Sequence, residues 1–317
     1  MNKKVVITGS FLDEITADIP CQNWGEKEWD RDFSAMKKAG IGRVFLIRAG
    51  FNRRLAYPSE VIPEKRAVFP VYVDLIDLFL RLAEKYDMEF WPGNYVGISA
   101  TGYYYHDLDL DLKVANELWE RYGSSKAFKG WYFSKEIGKD DPDAVGIFLK
   151  LAKHCRDISG GLPIMISPWV SVLPGIKRNH GGKVPEWNDT PIDFDAFRES
   201  WDRIMDRIEG AVDIVAWQDG YAPYAQLPKL YRLQKDLAVK HGMRAWINTE
   251  SFDRDMPFRF PPIDWRCLRY KLECAAEAGI DEAITFEFSH FMSPNSMWPS
   301  AGHLYDRYME FINNQCT

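Results

Sequence analysis

Two glutamates stand where short apolar runs give out. Gly130-Trp131-Tyr132-Phe133-Ser134-Lys135 leads into Glu136, and Ala245-Trp246-Ile247-Asn248-Thr249 leads into Glu250. Side chains alternate along an extended chain, so Asn248 and Glu250 share a face. An apolar strand ending in an inward carboxylate needs a partner or a purpose, because a buried charge must be paired or coordinated. A salt bridge would account for either glutamate alone. Two carboxylates facing one cleft meet the requirement for glycosidic bond cleavage, in which one is protonated and releases the leaving group while the other attacks or activates water. Their separation would be about 5–5.5 Å in a retaining enzyme and roughly 6.5–9.5 Å in an inverting one.

More polar groups fall at comparable places. One run ends Trp217-Gln218-Asp219-Gly220-Tyr221, and another reads Thr285-Phe286-Glu287-Phe288-Ser289-His290. Thr285, Glu287 and Ser289 are expected on one face of a strand. Arg48 and Asn94 close two further runs, and Asp13 and Glu14 follow the first. Asp219 and Glu287 are rivals to Glu136 and Glu250 for either catalytic role. Asn248, Arg48 and Gln218 are the groups expected to keep Glu250 ionised, and Glu287 is the like charge that could raise a neighbour's pKa. Lys135, adjacent to Glu136, should point the other way. Aromatic residues crowd the same positions: Trp91, Tyr95, Trp169, Trp217, Tyr221, Tyr224 and Trp298. Flat rings with a few directed polar groups describe a small-molecule pocket, and sugars offer C–H faces to stack on them. About half of these rings are expected in the core instead. The expected substrate-binding set is Arg48, Trp91, Asn94, Tyr95, Trp169, Trp217, Gln218, Asp219, Tyr221, Asn248, Glu287, His290 and Trp298.

These residues need a scaffold that brings strand ends together, and the chain has one. Strand-like runs at Val5–Ser10, Arg43–Arg48, Glu89–Tyr95, Lys129–Ser134, Pro163–Trp169, Asp213–Gln218, Arg244–Thr249 and Ala283–Phe288 alternate with amphipathic stretches. The helices are expected over Trp24–Ala39, Asp74–Tyr86, Leu108–Tyr122, Ala144–Ile158, Phe194–Ile208, Leu227–Lys240, Trp265–Ala278 and His303–Ile312, several stopped by Gly. Strands alternating with helices imply a parallel sheet, and eight such units a closed (β/α)8 TIM barrel. A doubly wound sheet would want a Gly-rich phosphate loop after the first strand, and Gly9-Ser10-Phe11-Leu12-Asp13 is none. The expectation is one catalytic barrel over residues 1–317. The long strand-to-helix connections lie on the face where such barrels carry their sites.

Bulk properties narrow the classes. A formal net charge of −6 and no long basic run argue against nucleic-acid binding. Twelve Trp and 15 % aromatic residues suit a carbohydrate partner. The five cysteines fit no zinc or redox motif, and no apolar stretch is long enough to span a membrane. No cofactor is expected. The N-terminus lacks the apolar core of a signal peptide, which places the chain in the cytoplasm, or in the periplasm or outside the cell if a leader was removed. Two other functions use the same residues. Glu136, Asp219, Glu250 and Glu287 could form an all-oxygen Mg²⁺ or Mn²⁺ site for a sugar isomerase or epimerase, with His290 as a further ligand. A carbohydrate-binding barrel without catalysis would keep the aromatic walls alone.

The pattern at Glu136 and Glu250 resembles the large clan of retaining glycoside hydrolases with (β/α)8 barrels, whose acid/base Glu ends the fourth strand and whose nucleophile Glu ends the seventh. The resemblance implies Glu136 as acid/base and Glu250 as nucleophile. The clan commonly has Asn before the acid/base; Lys135 stands there in this chain. The whole chain is more similar to a family of bacterial barrels catalogued as a domain of unknown function and taken to be glycosidases. That likeness is carried by Gly130-Trp131-Tyr132 with Glu136-Ile137, by Gln218-Asp219-Gly220, and by Trp246 to Phe252.

Overall fold

Apolar triplets and quartets make the strands, and aspartates start most of the helices that follow them. The computed structural model describes residues 4–16, 19–63, 69–98, 104–105, 107–138, 141–170, 192–220, 222–254, 260–280 and 282–313. The barrel strands are β1 (Ile7–Leu12), β2 (Arg43–Leu46), β3 (Glu89–Trp91), β4 (Trp131–Phe133), β5 (Ile164–Ile166), β6 (Ile214–Gln218), β7 (Arg244–Glu250) and β8 (Glu282–Phe286). The helices are α1 (Glu26–Lys38), α2 (Leu75–Lys85), α3 (Leu108–Tyr122), α4 (Pro142–Ser159), α5 (Phe194–Ile208), α6 (Leu227–Lys240), α7 (Trp265–Glu277), a short α8 (Phe288–Phe291) and α9 (Pro299–Asn313). Asp74, Asp107, Asp141, Asp193 and Asp264 each accept a backbone N–H of the first turn that the helix itself leaves unpaired.

The eight strands run parallel in the order β3-β2-β1-β8-β7-β6-β5-β4. The ring closes between β3 and the approach to β4: Phe90 N–H donates to Ala127 at 2.7 Å, Lys129 N–H to Phe90 at 3.1 Å, and Tyr132 N–H to Pro92 at 3.0 Å. This is the expected (β/α)8 barrel.

Two apolar layers follow from the alternation. Phe11, Phe45, Ile47, Trp91, Tyr132, Met165, Ile214, Ala216, Trp246 and Ile284 fill the lumen. Their neighbours in sequence, such as Leu12, Phe133, Val215 and Ile247, join the larger core between barrel and helices. Gly130 has a local reason: a Cβ there would lie 2.3 Å from the Trp91 ring, so only glycine lets that indole lie flat in the lumen.

Two expected elements differ. The run from Glu89 to Tyr95 is not one strand. β3 ends at Trp91, and Tyr95–Ile98 pairs with Gly50–Phe51 in a small accessory sheet built from the loops after β2 and β3. The β8 run also stops early, at Phe286. Glu287 turns the chain by capping α8, its carboxylate accepting Ser289 N–H at 2.8 Å and His290 N–H at 2.7 Å. The polar stripe of Thr285, Glu287 and Ser289 therefore does not exist, since only Thr285 lies in the strand. Among the described residues no helix is long and apolar enough to cross a membrane.

Candidate active site

Above the lumen's apolar layer, the next inward position of β4, β5, β6 and β7 becomes polar. Ser134 stands two residues beyond Tyr132, Ser167 two beyond Met165, Gln218 two beyond Ala216, and Asn248 two beyond Trp246. The groups interlock. Asn248 Nδ2 donates to Ser167 Oγ at 3.0 Å, Gln218 Nε2 to the Ser167 carbonyl at 2.8 Å, and Ser167 Oγ to the Ala216 carbonyl at 2.8 Å. Ser134 Oγ donates to the Ile47 carbonyl and accepts Asn94 N–H. One further step up the same faces come Glu136 and Glu250.

The two carboxylates have unlike surroundings. Glu250 is buried, its side chain 4 % accessible, and Arg254 grips it from both sides: Nε donates to Oε2 at 2.6 Å and Nη2 donates to Oε1. Glu136 keeps 31 % of its side chain open, with buried Arg48 beside it, Nη2 to Oε1 at 3.9 Å. Arg48 is itself steadied by Thr16 Oγ1 at 3.0 Å and lies over the Phe51 ring. Lys135 points away from the lumen, as expected, toward Asp141 at 3.9 Å.

Several expected site residues serve other purposes. Asp219 faces outward behind β7, where Lys271 Nζ lies 3.0 Å from Oδ2 and Thr249 Oγ1 donates at 3.1 Å; its Oδ1 accepts the Glu250 N–H at 3.2 Å. It roots the Glu250 backbone and is not at the mouth. Trp217 is also outward, fully buried against Trp201 of α5 at 4.6 Å between ring centres. Trp91 is lumen core, and Tyr95 is buried in the accessory sheet with its hydroxyl on the Asn52 carbonyl. Glu287 and His290 are wholly buried and paired with each other. These six side chains are kept from the mouth by strand alternation, by depth in the lumen or by loop packing. Tyr221 lies outside the described residues. Trp169 does stand at the rim, 40 % exposed, and Trp298 is half-buried in the loop before α9.

The groups expected to hold Glu250 ionised are engaged elsewhere, Asn248 and Gln218 with Ser167 and Arg48 beside Glu136. The cation paired with Glu250 is instead Arg254, which was not among the expected site residues. Its only signal was a cation four residues past the glutamate. Glu287 does act as a like charge, but on Asp32 and Glu14. Asp32 on α1 is driven up to about 7 by burial, against hydrogen bonds from Ser293 and Ser289. Burial alone would lower His290, but the charge and hydrogen bond of Glu287 outweigh it and raise the imidazole to about 9. The four carboxylates proposed for a divalent cation do not converge, since Asp219 and Glu287 face other directions. Among the described residues no group of three or more His, Cys, Asp and Glu is arranged to hold a metal ion.

A family model matches residues 7–298. The chain belongs to the family described as a domain of unknown function, DUF4434. No curated protein matches the sequence. This DUF4434 chain is similar to a crystal structure described as a candidate α-L-fucosidase from Bacteroides thetaiotaomicron, with 45 % identity over 98 % of this chain and 97 % of that one, TM-score 0.89. It also matches a GH2 β-galacturonidase from Eisenbergiella tayi at 11 % identity, TM-score 0.57, over 96 % of this chain and 51 % of that one. A family 5 glycoside hydrolase from Bacteroides vulgatus matches at 11 % identity, TM-score 0.56, over 90 % and 59 %. The last two likenesses are likenesses of fold.

Proposed function

We propose that this chain is a glycoside hydrolase in which Glu250 is the nucleophile and Glu136 the acid/base. The observation that carries the reading is the contrast between the two carboxylates at one barrel mouth. Glu250 is buried and gripped at both oxygens by a guanidinium fork. Glu136 is open to solvent and to a leaving group. In the first step the Glu250 carboxylate attacks the anomeric carbon while Glu136 gives its proton to the glycosidic oxygen, whose bond to that carbon breaks. In the second, Glu136 takes a proton from water, the water oxygen attacks the anomeric carbon, and the bond to Glu250 breaks. The net configuration is retained.

The barrel over residues 1–317 acts as one catalytic unit in this reading, and its partner is a carbohydrate. The 45 % identical structure, described as a candidate α-L-fucosidase, makes aryl α-L-fucosides the first substrates to try. Glu136→Gln and Glu250→Gln should each lose cleavage while keeping the wild-type circular dichroism and melting temperature. Near-normal turnover by either variant on a confirmed substrate removes that residue's role. Proton NMR of the first-formed anomer tests retention.

A further inference from the structure

Tyrosines buried in this protein find partners for their hydroxyls. Tyr57 donates to Glu117 at 2.7 Å, Tyr122 to Asp74 at 2.7 Å, Tyr95 to the Asn52 carbonyl at 2.8 Å, and Tyr308 accepts Ile7 N–H at 2.8 Å. Tyr132 departs from this. It is 1 % exposed, yet its hydroxyl has no hydrogen-bond partner among the described residues. Asn248 shows the same on one atom: its Nδ2 is engaged by Ser167, but Oδ1 has no partner among the described residues, in a side chain 2 % exposed. Buried indole N–H groups of Trp29, Trp201 and Trp217 are also unmatched, but they sit in hydrocarbon between barrel and helices.

Tyr132 and Asn248 sit elsewhere. Tyr132 is four residues before Glu136 and Asn248 two before Glu250, each on the inward face that its strand presents to the lumen. The Tyr132 ring meets Phe11 edge-on at 4.9 Å within the apolar filling of the lumen. The charges acting on its hydroxyl belong to the mouth: Glu136, Arg48 and Asp13. Burial first, then Glu136, keeps that hydroxyl protonated. A buried polar group without a partner is costly to a folded protein, and two of them on the inward faces that lead up to a pair of carboxylates is an arrangement a ligand would complete.

We propose that the Tyr132 hydroxyl and the Asn248 amide oxygen form the floor of the subsite that holds the sugar ring between Glu136 and Glu250, each making a hydrogen bond to a ring hydroxyl. This rests on the glycosidase reading for the identity of the ring. The atoms specify its chemistry. Asn248 Oδ1 can only accept, so it requires a donor, while a protonated Tyr132 can give or take. A neutral hydroxyl serves both; a carboxylate at this depth would oppose Asn248. The ligand is thus a pyranose or related polyol that presents hydroxyls, not an anionic group, to the lumen.

The test compares wild type with Tyr132→Phe, supported by Asn248→Ala. For Tyr132→Phe, the free protein should melt at the wild-type temperature or higher, because the change removes an unmatched buried hydroxyl. On the glycoside that wild type cleaves, kcat/KM should fall by about 10- to 100-fold. The deoxy glycoside lacking the contacted hydroxyl should impose the same loss on wild type and little more on the variant. Binding of D-glucose, D-galactose, D-mannose and D-xylose by calorimetry separates this inference from the function. If no glycoside is cleaved but a free sugar binds wild type and not Tyr132→Phe, the glycosidase reading fails and the subsite stands. Unchanged kcat/KM, unchanged sugar binding by the variant, or neither turnover nor sugar binding by wild type overturns the subsite.

Discussion

Arg254 and Glu250, four residues apart on the way out of β7, are joined at two points, with Nε 2.6 Å from Oε2 and Nη2 on Oε1. Both carboxylate oxygens therefore accept a hydrogen bond in the resting site, and in the proposed reaction the attack on a sugar uses a remaining lone pair of one of them. The guanidinium that steadies Glu250 then remains on the other oxygen. It also lies over the Phe252 and Phe260 rings, which fix where it can stand. Arg254→Ala should lower kcat/KM by about 100-fold and also lower the melting temperature, since removing one partner of a largely buried pair costs ~3–5 kcal/mol. Arg254→Lys, a point charge without the fork, should recover part of the stability and less of the rate. Steady-state kinetics with thermal melts decide it. Full activity in Arg254→Ala would show that Glu250 needs no such anchor.

Behind Glu250 a second buried pair predicts a different signature. Lys271 and Asp219 are 6 % and 1 % accessible and 3.0 Å apart, and Asp219 also accepts the Glu250 N–H. Lys271→Met should leave Asp219 charged and uncompensated and destabilise the fold by ~3–5 kcal/mol. Adding Asp219→Asn should restore much of that. Chemical denaturation of both variants measures the difference, and equal stabilities for the single and double variants would count against the pairing.

The cluster between α1 and α8 makes stability depend on pH. The folded-state pKa of Asp32 is raised from 3.8 to about 7, so the folded protein binds more protons between those values and loses stability as pH rises through that window. His290 is raised from 6.5 to about 9, so its contribution is complete below 6.5 and disappears as pH climbs through 9. The two effects have the same sign. Melting temperature should decline steadily from about pH 4 to about pH 9.5 wherever these groups dominate. Asp32→Asn should flatten the lower half of that slope and leave the upper half. A parallel, undiminished slope in Asp32→Asn would exclude this origin.

How far the sequence carries depends on whether a feature is periodic. The helices expected over Leu108–Tyr122, Phe194–Ile208 and Leu227–Lys240 occupy those residues. Their amphipathic stripes and flanking Asp, Pro or Gly mark both ends. Alternation likewise put Asn248 and Glu250 on one face, and it could have turned Trp217 and Asp219 outward, since both stand one step from inward Gln218. It also contained Tyr132, Ser134 and Glu136 as one inward series. What it could not contain is contact made by loops. Glu287 continues the polar alternation of β8 in sequence, yet it ends the strand by capping α8 and binding His290. Arg254 leaves no periodic trace because it acts from an irregular segment after β7.

Trp169 is, among the described residues, a rim aromatic whose ring is open to a ligand, 40 % exposed after β5. Its backbone N–H donates to the Ile137 carbonyl at 3.1 Å, and its ring lies on Gly138, where a Cβ would come within 2.5 Å. The indole is thus fixed to the segment that carries Glu136, which suits it to hold the leaving-group side of a glycoside. Trp169→Ala should raise KM by roughly 3- to 10-fold, the scale of one aromatic contact of ~0.5–1.5 kcal/mol, with kcat changed little. Because the ring is partly solvated, the melting temperature should stay near wild type. Gly138→Ala would displace the same ring without removing it and should reproduce the KM effect. If Trp169→Ala lowers kcat as strongly as it raises KM, the ring is shaping the position of Glu136 and not simply holding substrate.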